Sequence, residues 1–138
     1  MKVRPAQPGD DAALARLHGD ARADYAALSP AELRHRDGAD VLRLVADVDG
    51  ELAGALVAHM VADHEPETLL RIDSLVTADA HRGRGYAAQL VEAAEAWGRE
   101  HGAVVSELTT YQDSPLAYGF WTRRAGYAPR SVNLRKEL

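Results

Sequence analysis

The sequence contains no cysteine, and this absence excludes several kinds of chemistry at once. Without a thiol, the chain has no disulfide framework, no thiol nucleophile and no zinc site built on thiolates. Long hydrophobic runs are also missing. The longest, from about Leu52 to Ala62, contains His59 and falls well short of the ~20 residues that a membrane-spanning helix needs. No apolar segment follows the positive residues at the N-terminus, so we expect no secretory signal peptide.

Positive charge is scarce. The 138 residues include 16 Lys or Arg against 21 Asp or Glu, and the net charge is −5. This balance argues against a protein that binds nucleic acid through overall positive charge. With 46% hydrophobic residues, the chain can still bury a core. We therefore expect one cytoplasmic domain over residues 1–138, with neither nucleic acid nor a membrane as its partner.

Hydrophobic periodicity predicts a mixed order of strands and helices. An Asp-Gly pair between two β-rich runs is typical of a hairpin, and prolines after serine mark two helix starts. The predicted strands are Lys2–Ala6, Val41–Val48, Leu52–Val61, Leu69–Thr77, Ala103–Tyr111 and one or two more within Tyr127–Leu138. The predicted helices are Asp11–Leu28, Ser29–Arg36, Gly85–His101 and one from Ser114 towards Gly126. This order predicts a single α/β domain with a mixed sheet.

The most informative segment joins a strand to the helix that follows it. It reads Leu75-Val76-Thr77-Ala78-Asp79-Ala80-His81-Arg82-Gly83-Arg84-Gly85-Tyr86-Ala87. Glycines let the backbone turn tightly here and approach a ligand. Free N–H groups at a helix start favour an anion, most naturally a phosphate or pyrophosphate. Arg82 and Arg84 add positive charge at the same place.

Three interpretations of this segment are open. The simplest is a capped helix after an arginine-rich surface loop. The second is a dinucleotide fingerprint at Gly83, Gly85 and Ala88, but that motif needs its strand to run directly into the first glycine, and Thr77–Arg82 intervene. A Walker A loop is excluded because no Gly-Lys-Ser/Thr follows. The third is a coenzyme A site, because Arg82–Ala87 matches the pattern Arg/Gln-x-x-Gly-x-Gly/Ala.

With this motif the sequence resembles the GCN5-related N-acetyltransferase (GNAT) superfamily, and the resemblance covers nearly the whole chain. Val3–Asp11 looks like the family's first strand and acid-started helix, and Gly126-Tyr127 looks like its closing glycine-aromatic pair. The resemblance implies a mixed, mostly antiparallel sheet of six to seven strands with about four flanking helices. It also implies an acetyl-CoA-dependent N-acetyltransferase. The lack of cysteine favours direct transfer to an amine in a ternary complex.

The resemblance also implies where acetyl-CoA, the acyl donor, would bind. The residues that would meet its pantetheine arm, where the family's fourth strand splays, are Leu75, Val76 and Thr77. The residues that would hold its pyrophosphate are Arg82, Gly83, Arg84, Gly85, Tyr86 and Ala87. Ser114 or Asp113 occupies the place of the family's asparagine beside the pantetheine. The simpler role of Ser114 is to cap the helix that follows it.

Acetylation of an amine requires a base that takes the amine's proton. We assign this role to Asp73, which lies on the strand before the loop, where similar proteins often carry a carboxylate. Glu107 on the next strand is the reserve candidate. By alternation Asp73 shares a face with Leu75 and Thr77, unless a bulge resets the phase. The alternatives for Asp73 are a solvated carboxylate and one that binds the substrate's ammonium group.

The general acid is where this sequence departs from the family. The usual tyrosine precedes the glycine-aromatic pair by four residues. Counting back from Gly126 reaches Thr122, whereas counting forward from Ala117 reaches Trp121, as if one residue had been added. Tyr118, one turn before Thr122, is the expected substitute, with a packing role as the alternative. The missing tyrosine keeps a second hypothesis open, a non-catalytic acyl-CoA-binding domain.

Metal binding and the choice of acceptor are the least constrained by the sequence. The six histidines include no i, i+4 pair with an acid between them, so we expect no metal. In the superfamily the acceptor is selected by segments that correspond here to Ala26–Asp40 and Ala128–Val132. The acidic stretch Asp63–Glu67 could attract a cationic amine. A polyamine, an aminoglycoside, an amino acid and a peptide N-terminus all stay open, as does a homodimer, which is common in the superfamily.

Overall fold

Strands in an antiparallel meander begin the fold. In the computed structural model, which describes residues 1–21, 40–61, 68–110 and 114–138, these strands are β1 (Lys2–Pro5), β2 (Val41–Val48), β3 (Glu51–Val61) and β4 (Leu69–Thr77). β5 (Val105–Glu107) joins in parallel to β4, which gives the order β1-β2-β3-β4-β5. The sheet is therefore mixed and mostly antiparallel, as the sequence predicts. Contacts divide the chain into two units, Met1–Leu108 and Thr109–Leu138.

The β2–β3 hairpin is set by its two turn residues. Asp49 and Gly50 have φ values of +52° and +88°, and a two-residue type I′ turn requires positive φ at both positions. The Gly50 N–H also donates to Asp47 Oδ1 at 2.7 Å. From this turn the ladder runs back to the pairing of Val41 with His59. The turn and a bulge at Ala53, between the pairings of Asp47 with Leu52 and of Ala46 with Gly54, together determine which side chains of the two strands share a face.

Within the described part of the first unit, the sheet carries one helix on each face. α1 (Asp11–Ala21) contributes Leu14 and Leu17 to a buried cluster that includes Ala55 of β3. α2 (Tyr86–Glu100) packs against Gly54, where an added Cβ would lie 3.1 Å from Leu90 Cδ1. Because neighbouring residues of a strand point to opposite faces, Gly54 and Ala55 place the two helices on opposite sides. We call these sides the α1 face and the α2 face.

Arg4 connects β1 to the start of α1 and to the hairpin. Its Nη1 and Nη2 donate to the two carboxylate oxygens of Asp10 at 2.9 and 3.0 Å, and its Nε donates to Asp47 Oδ2 at 3.1 Å. The bonds from Arg4 lower the pKa of Asp10 below its ordinary value. The Gly50 N–H, and after it Arg4, lowers the pKa of Asp47. The same carboxylates raise the pKa of the guanidinium, so the network stays ionised at neutral pH.

The second unit contains a short helix that changes its winding. α3 (Pro115–Gly119) runs into a π-helical turn at Phe120–Arg124, in which the Ala125 N–H donates to the Phe120 carbonyl at 2.9 Å. A π turn takes up one residue more than an α turn, which accounts for the extra residue found by counting. Trp121 is buried and meets the ring of Tyr127 edge-on, with ring centroids 5.3 Å apart.

The expected number of elements is corrected. The described residues form five strands and three α-helices, fewer than six to seven strands and about four helices. Tyr127–Leu138 contains no strand. Its side chains are exposed from Ala128 onward, and its backbone joins no ladder in the described chain, which an extended segment needs to become a strand. Within the predicted strand Ala103–Tyr111, only Val105–Glu107 of the described residues form a strand, β5, and Tyr111 lies outside the described residues. The predicted helix Ser29–Arg36 lies outside the described residues.

Candidate active site

β4 and β5 separate part of the way along β4, and the separation opens one edge of the sheet. Their parallel ladder joins Leu69–Arg71 to Val105–Glu107 and ends there. From Ile72 to Thr77, β4 is paired only with β3 among the described strands. Backbone N–H and C=O groups on the other side of β4 are therefore available to an extended ligand. The predicted pantetheine contacts at Leu75–Thr77 all lie on this open edge.

The loop after β4 carries the two motif glycines in the left-handed conformation. Gly83 has φ +78° and Gly85 has φ +80°, values that are costly for a residue with a Cβ. Gly85 is the N-cap residue of α2, and no side chain caps this helix end. The first N–H groups of α2, at Tyr86 and Ala87, therefore have no intrahelical partner. With the helix dipole, they form an end that favours an anion. The loop Ala78–Gly85 separates it from the open edge of β4.

The loop contains two exposed arginines and one buried histidine. Arg82 and Arg84 are exposed, and Arg82 Nε lies 3.0 Å from Asp79 Oδ1. His81 is only 8% exposed, its Nε2 lies 3.5 Å from Glu51 Oε1, and its Nδ1 has no hydrogen-bond partner in the described chain. The arginines are thus placed to meet an anion, while His81 supports the loop from inside.

Close packing fixes α2 against β3 and β4. A Cβ added to Gly54 of β3 would lie 3.0 Å from the Val76 carbonyl and 3.1 Å from Leu90 Cδ1. A Cβ added to Gly98 would lie 3.2 Å from the side chain of Leu70. Both distances are tighter than ordinary contacts, so these glycines allow helix and strand to approach closely. The loop that joins β4 to α2 therefore connects two closely packed elements.

A β-bulge in β4 occurs at Asp73. In the β3–β4 ladder Val57 pairs with Ser74, but the next residue, Ala58, pairs with Ile72. Asp73 is therefore the extra residue of the bulge, and no residue of β3 lies directly opposite it in the ladder. A bulge of this kind bends its strand and re-aims side chains. Its position is just beyond the last β4–β5 pairing, where the open edge begins.

The bulge reverses the alternation of β4. Before it, Leu70 points to the α2 face, towards Gly98. After it, Val76 points to the α1 face, into the cluster with Leu14. Leu75 and Thr77 therefore face α2. Asp73 faces α1, because its carboxylate meets a side chain on that face. The exception to simple alternation, a bulge that resets the phase, therefore applies, and Asp73 does not share a face with Leu75 and Thr77.

Asp73 is paired with His59 of β3. His59 Nδ1 lies 2.7 Å from Asp73 Oδ2, and the two side chains are 33% and 10% exposed. An i, i+4 pattern does not reveal this histidine, because such a pattern finds partners only within one helix. The two residues are 14 positions apart in the chain and meet only through the β3–β4 register and the bulge. Alternating patterns in the hairpin could have placed His59 on a face, but not within hydrogen-bond distance of Asp73.

Ser114 and Tyr118 lie in the second unit. Ser114 is the N-cap residue of α3, as predicted, and its carbonyl accepts from the Tyr118 N–H at 2.9 Å, but its side chain makes no capping hydrogen bond. Tyr118 is half-buried, and its carbonyl accepts from the Thr122 hydroxyl at 2.8 Å. The catalytic and coenzyme roles of Ser114 and Tyr118 stay predictions. Asp113 lies outside the described residues.

The other candidates are only partly described. Glu107, the reserve base, ends β5 opposite Arg71, at the point where the strands part. The acidic stretch and nearly all of the first acceptor segment lie outside the described residues, and the second segment, Ala128–Val132, is exposed. Within the described ranges no three metal-ligating side chains come together. No helix in these ranges is long and apolar enough to cross a membrane.

A family comparison agrees with this geometry. Residues 11–127 match the model of the Acetyltransferase (GNAT) family, so the chain belongs to this family and is an acyltransferase. Enzymes of the family use acetyl-CoA. No curated protein sequence matches the chain.

Solved structures share the fold at low sequence identity. A tetramutant of the BH1408 protein from Bacillus halodurans has a TM-score of 0.83 at 23% identity and covers 100% of both chains. An acetyltransferase from Trypanosoma brucei has a TM-score of 0.77 at 17% identity over 99% of both chains. Aminoglycoside N-acetyltransferase AAC(6')-Iy in complex with CoA has a TM-score of 0.79 at 15% identity over 99% of this chain and 95% of its own.

Proposed function

We propose that this protein is an acetyl-CoA-dependent N-acetyltransferase that moves the acetyl group directly to an amine in a ternary complex. One observation carries the proposal: the open edge of β4, Ile72–Thr77, is followed by a loop with two left-handed glycines and then by a helix start with free N–H groups. A ligand that fits this combination is anionic at one end and has a long arm with amide groups beyond it. Coenzyme A has both parts, whereas ATP and NAD have no arm that could pair with a strand edge.

Different parts of the chain would hold the two ends of the donor. The N–H groups at the start of α2, with Arg82 and Arg84, would bind the pyrophosphate. The backbone of Leu75–Thr77 would pair with the amides of the pantetheine arm, as a strand edge pairs with an added peptide. Since both contacts are made largely by backbone, the glycines of the loop matter through the approach that they allow.

The reaction needs few protein groups. Acetyl-CoA supplies a thioester, whose carbonyl carbon is attacked by the amine nitrogen; the C–N bond forms, the C–S bond breaks, and coenzyme A leaves as its thiol. An amine must lose a proton in this step, and the basic group is the pair of Asp73 and His59 on the α1 face. Tyr118 is proposed as the acid for the leaving thiolate and Ser114 as a partner of the pantetheine, both on the strength of the family resemblance.

The absence of cysteine supports direct transfer, because no acyl-cysteine can form. The acceptor is proposed as an amine, without a narrower class.

Ligand binding and thiol release test the proposal in turn. Thermal unfolding is measured with acetyl-CoA, ATP and NAD, and we expect only acetyl-CoA to raise Tm, by the equivalent of ~2.7 kcal/mol at 100 times its Kd. Thiol release from acetyl-CoA is then measured with spermidine, kanamycin, glycine and a short peptide with a free N-terminus. A Tm unchanged by acetyl-CoA, or stabilisation without thiol release from any of these amines, would contradict the proposal.

A further inference from the structure

His59 is held in one orientation by the carboxylate of Asp73, which is partly buried. Asp73 is the extra residue of the bulge, so no residue of β3 lies directly opposite it, and its side chain turns to the α1 face beside His59. The Nδ1 to Oδ2 distance of 2.7 Å is that of a strong, charge-assisted hydrogen bond. The bond fixes both the position of the ring and its rotation.

The same bond determines which ring nitrogen can act as a base. An ionised carboxylate only accepts hydrogen bonds, so the proton of the neutral imidazole lies on Nδ1. The lone pair is then on Nε2, at the opposite side of the ring. After Nε2 takes a proton, the imidazolium keeps its bond to Asp73, and the carboxylate balances the new charge. The arrangement is that of a base with its orienting partner.

Exposure separates the roles of the two groups. The Asp73 side chain is 10% exposed, whereas that of His59 is 33% exposed, so an acceptor amine meets the histidine first. Building on the acetyltransferase function proposed above, we infer that His59 is the general base and Asp73 its positioning residue. The proton moves from the amine nitrogen to His59 Nε2 as the C–N bond forms, and solvent later receives it.

Among the described residues, Glu107 is a rival base on this face, because it ends β5 opposite Arg71, which in turn lies opposite His59. Arg71 lies opposite His59 on β4, and Arg43 lies opposite Val57 on β2, both on the α1 face. Arginines stay charged through the working pH range and cannot accept the proton. His18 of α1 is 2% exposed, and this burial keeps it from exchanging a proton with an acceptor. The pH dependence is therefore assigned by substituting His59, Asp73 and Glu107, and Glu107→Gln should keep the acid limb of the profile.

Kinetics of two variants test the inference. With acetyl-CoA and the fastest amine of the screen, His59→Gln is expected to lower kcat by at least ~100-fold and to leave the KM for acetyl-CoA unchanged. The acid limb of the pH–rate profile should disappear. Asp73→Asn should lower kcat less, by ~10–100-fold, and should keep an acid limb at a shifted position. Added imidazole should restore activity to His59→Ala and not to Asp73→Ala.

His101→Gln is the matched control, because His101 lies at the end of α2 with its Nδ1 2.8 Å from the Trp97 carbonyl and should not affect turnover. The inference is overturned if His59→Gln keeps its acid limb while Asp73→Asn abolishes turnover, since Asp73 would then be the base. No thiol release by the unsubstituted protein would overturn the proposed function, and the assignment of the base with it.

A spectroscopic test does not depend on turnover. Long-range proton–nitrogen NMR of the histidine rings at high pH should show neutral His59 with its proton on Nδ1, and Asp73→Ala should move that proton to Nε2. A wild-type ring with its proton on Nε2 would contradict the inference even in a protein that transfers acetyl groups rapidly.

Discussion

His59 Nδ1 and Asp73 Oδ2 lie 2.7 Å apart across a β-bulge, although 14 positions separate the two residues in the chain. The contact connects β3 to the part of β4 that has already left β5. It therefore stabilises the strand where the sheet opens, as well as orienting a side chain.

This contact should appear as an energetic coupling between the two residues. Removing either residue leaves the other without this hydrogen bond. The losses in the free energy of unfolding of His59→Ala and Asp73→Ala should therefore not add in the double variant. We expect a coupling of about 1 kcal/mol, measured by urea unfolding at pH 7. Strict additivity of the two losses would show that the pair contributes nothing to stability.

The left-handed glycine of the loop should matter for ligand binding as well as stability. Gly83 and Gly102 both have positive φ, +78° and +93°, and a Cβ added at either position would meet nothing within 4 Å. Alanine at either position should cost about 1 kcal/mol of stability through backbone strain. Only Gly83→Ala should also weaken acetyl-CoA binding, by ~10-fold or more, as measured by calorimetric titration. Equal affinity in the two variants would remove the loop from the binding site.

A side chain at Gly54 should disturb both the core and the open edge. The Cβ of Gly54→Ala would meet the Val76 carbonyl at 3.0 Å and Leu90 Cδ1 at 3.1 Å, and overpacking of this kind costs about 1–3 kcal/mol. Thermal unfolding should show a lower Tm. In contrast, Gly19→Ala, in an exposed part of α1 with nothing within 4 Å, should raise stability by up to ~1 kcal/mol. A rise in Tm for both variants would contradict the packing argument.

Acid should remove the stability that the Arg4 network provides. The pKa of Asp10 is lowered in the folded state, first by its bonds to Arg4, so its contribution is present above the unfolded value of ~3.9 and is lost as the pH falls through the folded value. Asp10→Asn should therefore be less stable at pH 7 by about 1 kcal/mol, with the difference shrinking below about pH 4.

Glu137→Gln is the control for this comparison. Its ion pair with Arg135 is 2.7 Å long, but both side chains are more than three-quarters exposed, and such pairs contribute ~0–1 kcal/mol. Urea unfolding from pH 2 to 7 should show little effect for this variant. A constant difference between wild type and Asp10→Asn over that range would contradict the role of ionisation.

Local signals in the sequence were sufficient for several elements. Asp49-Gly50 predicted the hairpin, and both residues have the positive φ that its turn requires. The two glycines of the motif predicted a tight approach to a helix start, and Gly83 and Gly85 are left-handed there. Serine and proline predicted the start of α3, although the Ser114 side chain makes no cap. In each case the residues that decide the structure are neighbours in the chain.

Other features depended on partners that the sequence does not identify. The sequence of Tyr127–Leu138 predicted one or two strands, but this segment pairs with no strand of the described chain. The prediction of final strands was therefore wrong. The face of Asp73 depended on one extra residue in the β3–β4 ladder. The spacing from Ala117 to Gly126 indicated one extra residue near Trp121. Only the backbone showed that a π turn at Phe120–Arg124 accommodates this residue.

The sequence by itself determined the class of protein, the donor that its motif favours and the order of most elements, because turns, helix starts and glycine conformations are decided by adjacent residues. The tertiary structure alone decided that β4 leaves β5 after Arg71, that Asp73 points to the α1 face and that His59 is its partner. Register and bulges are settled by the packing of whole strands against one another, and a shift of one residue there exchanges the two faces of a strand.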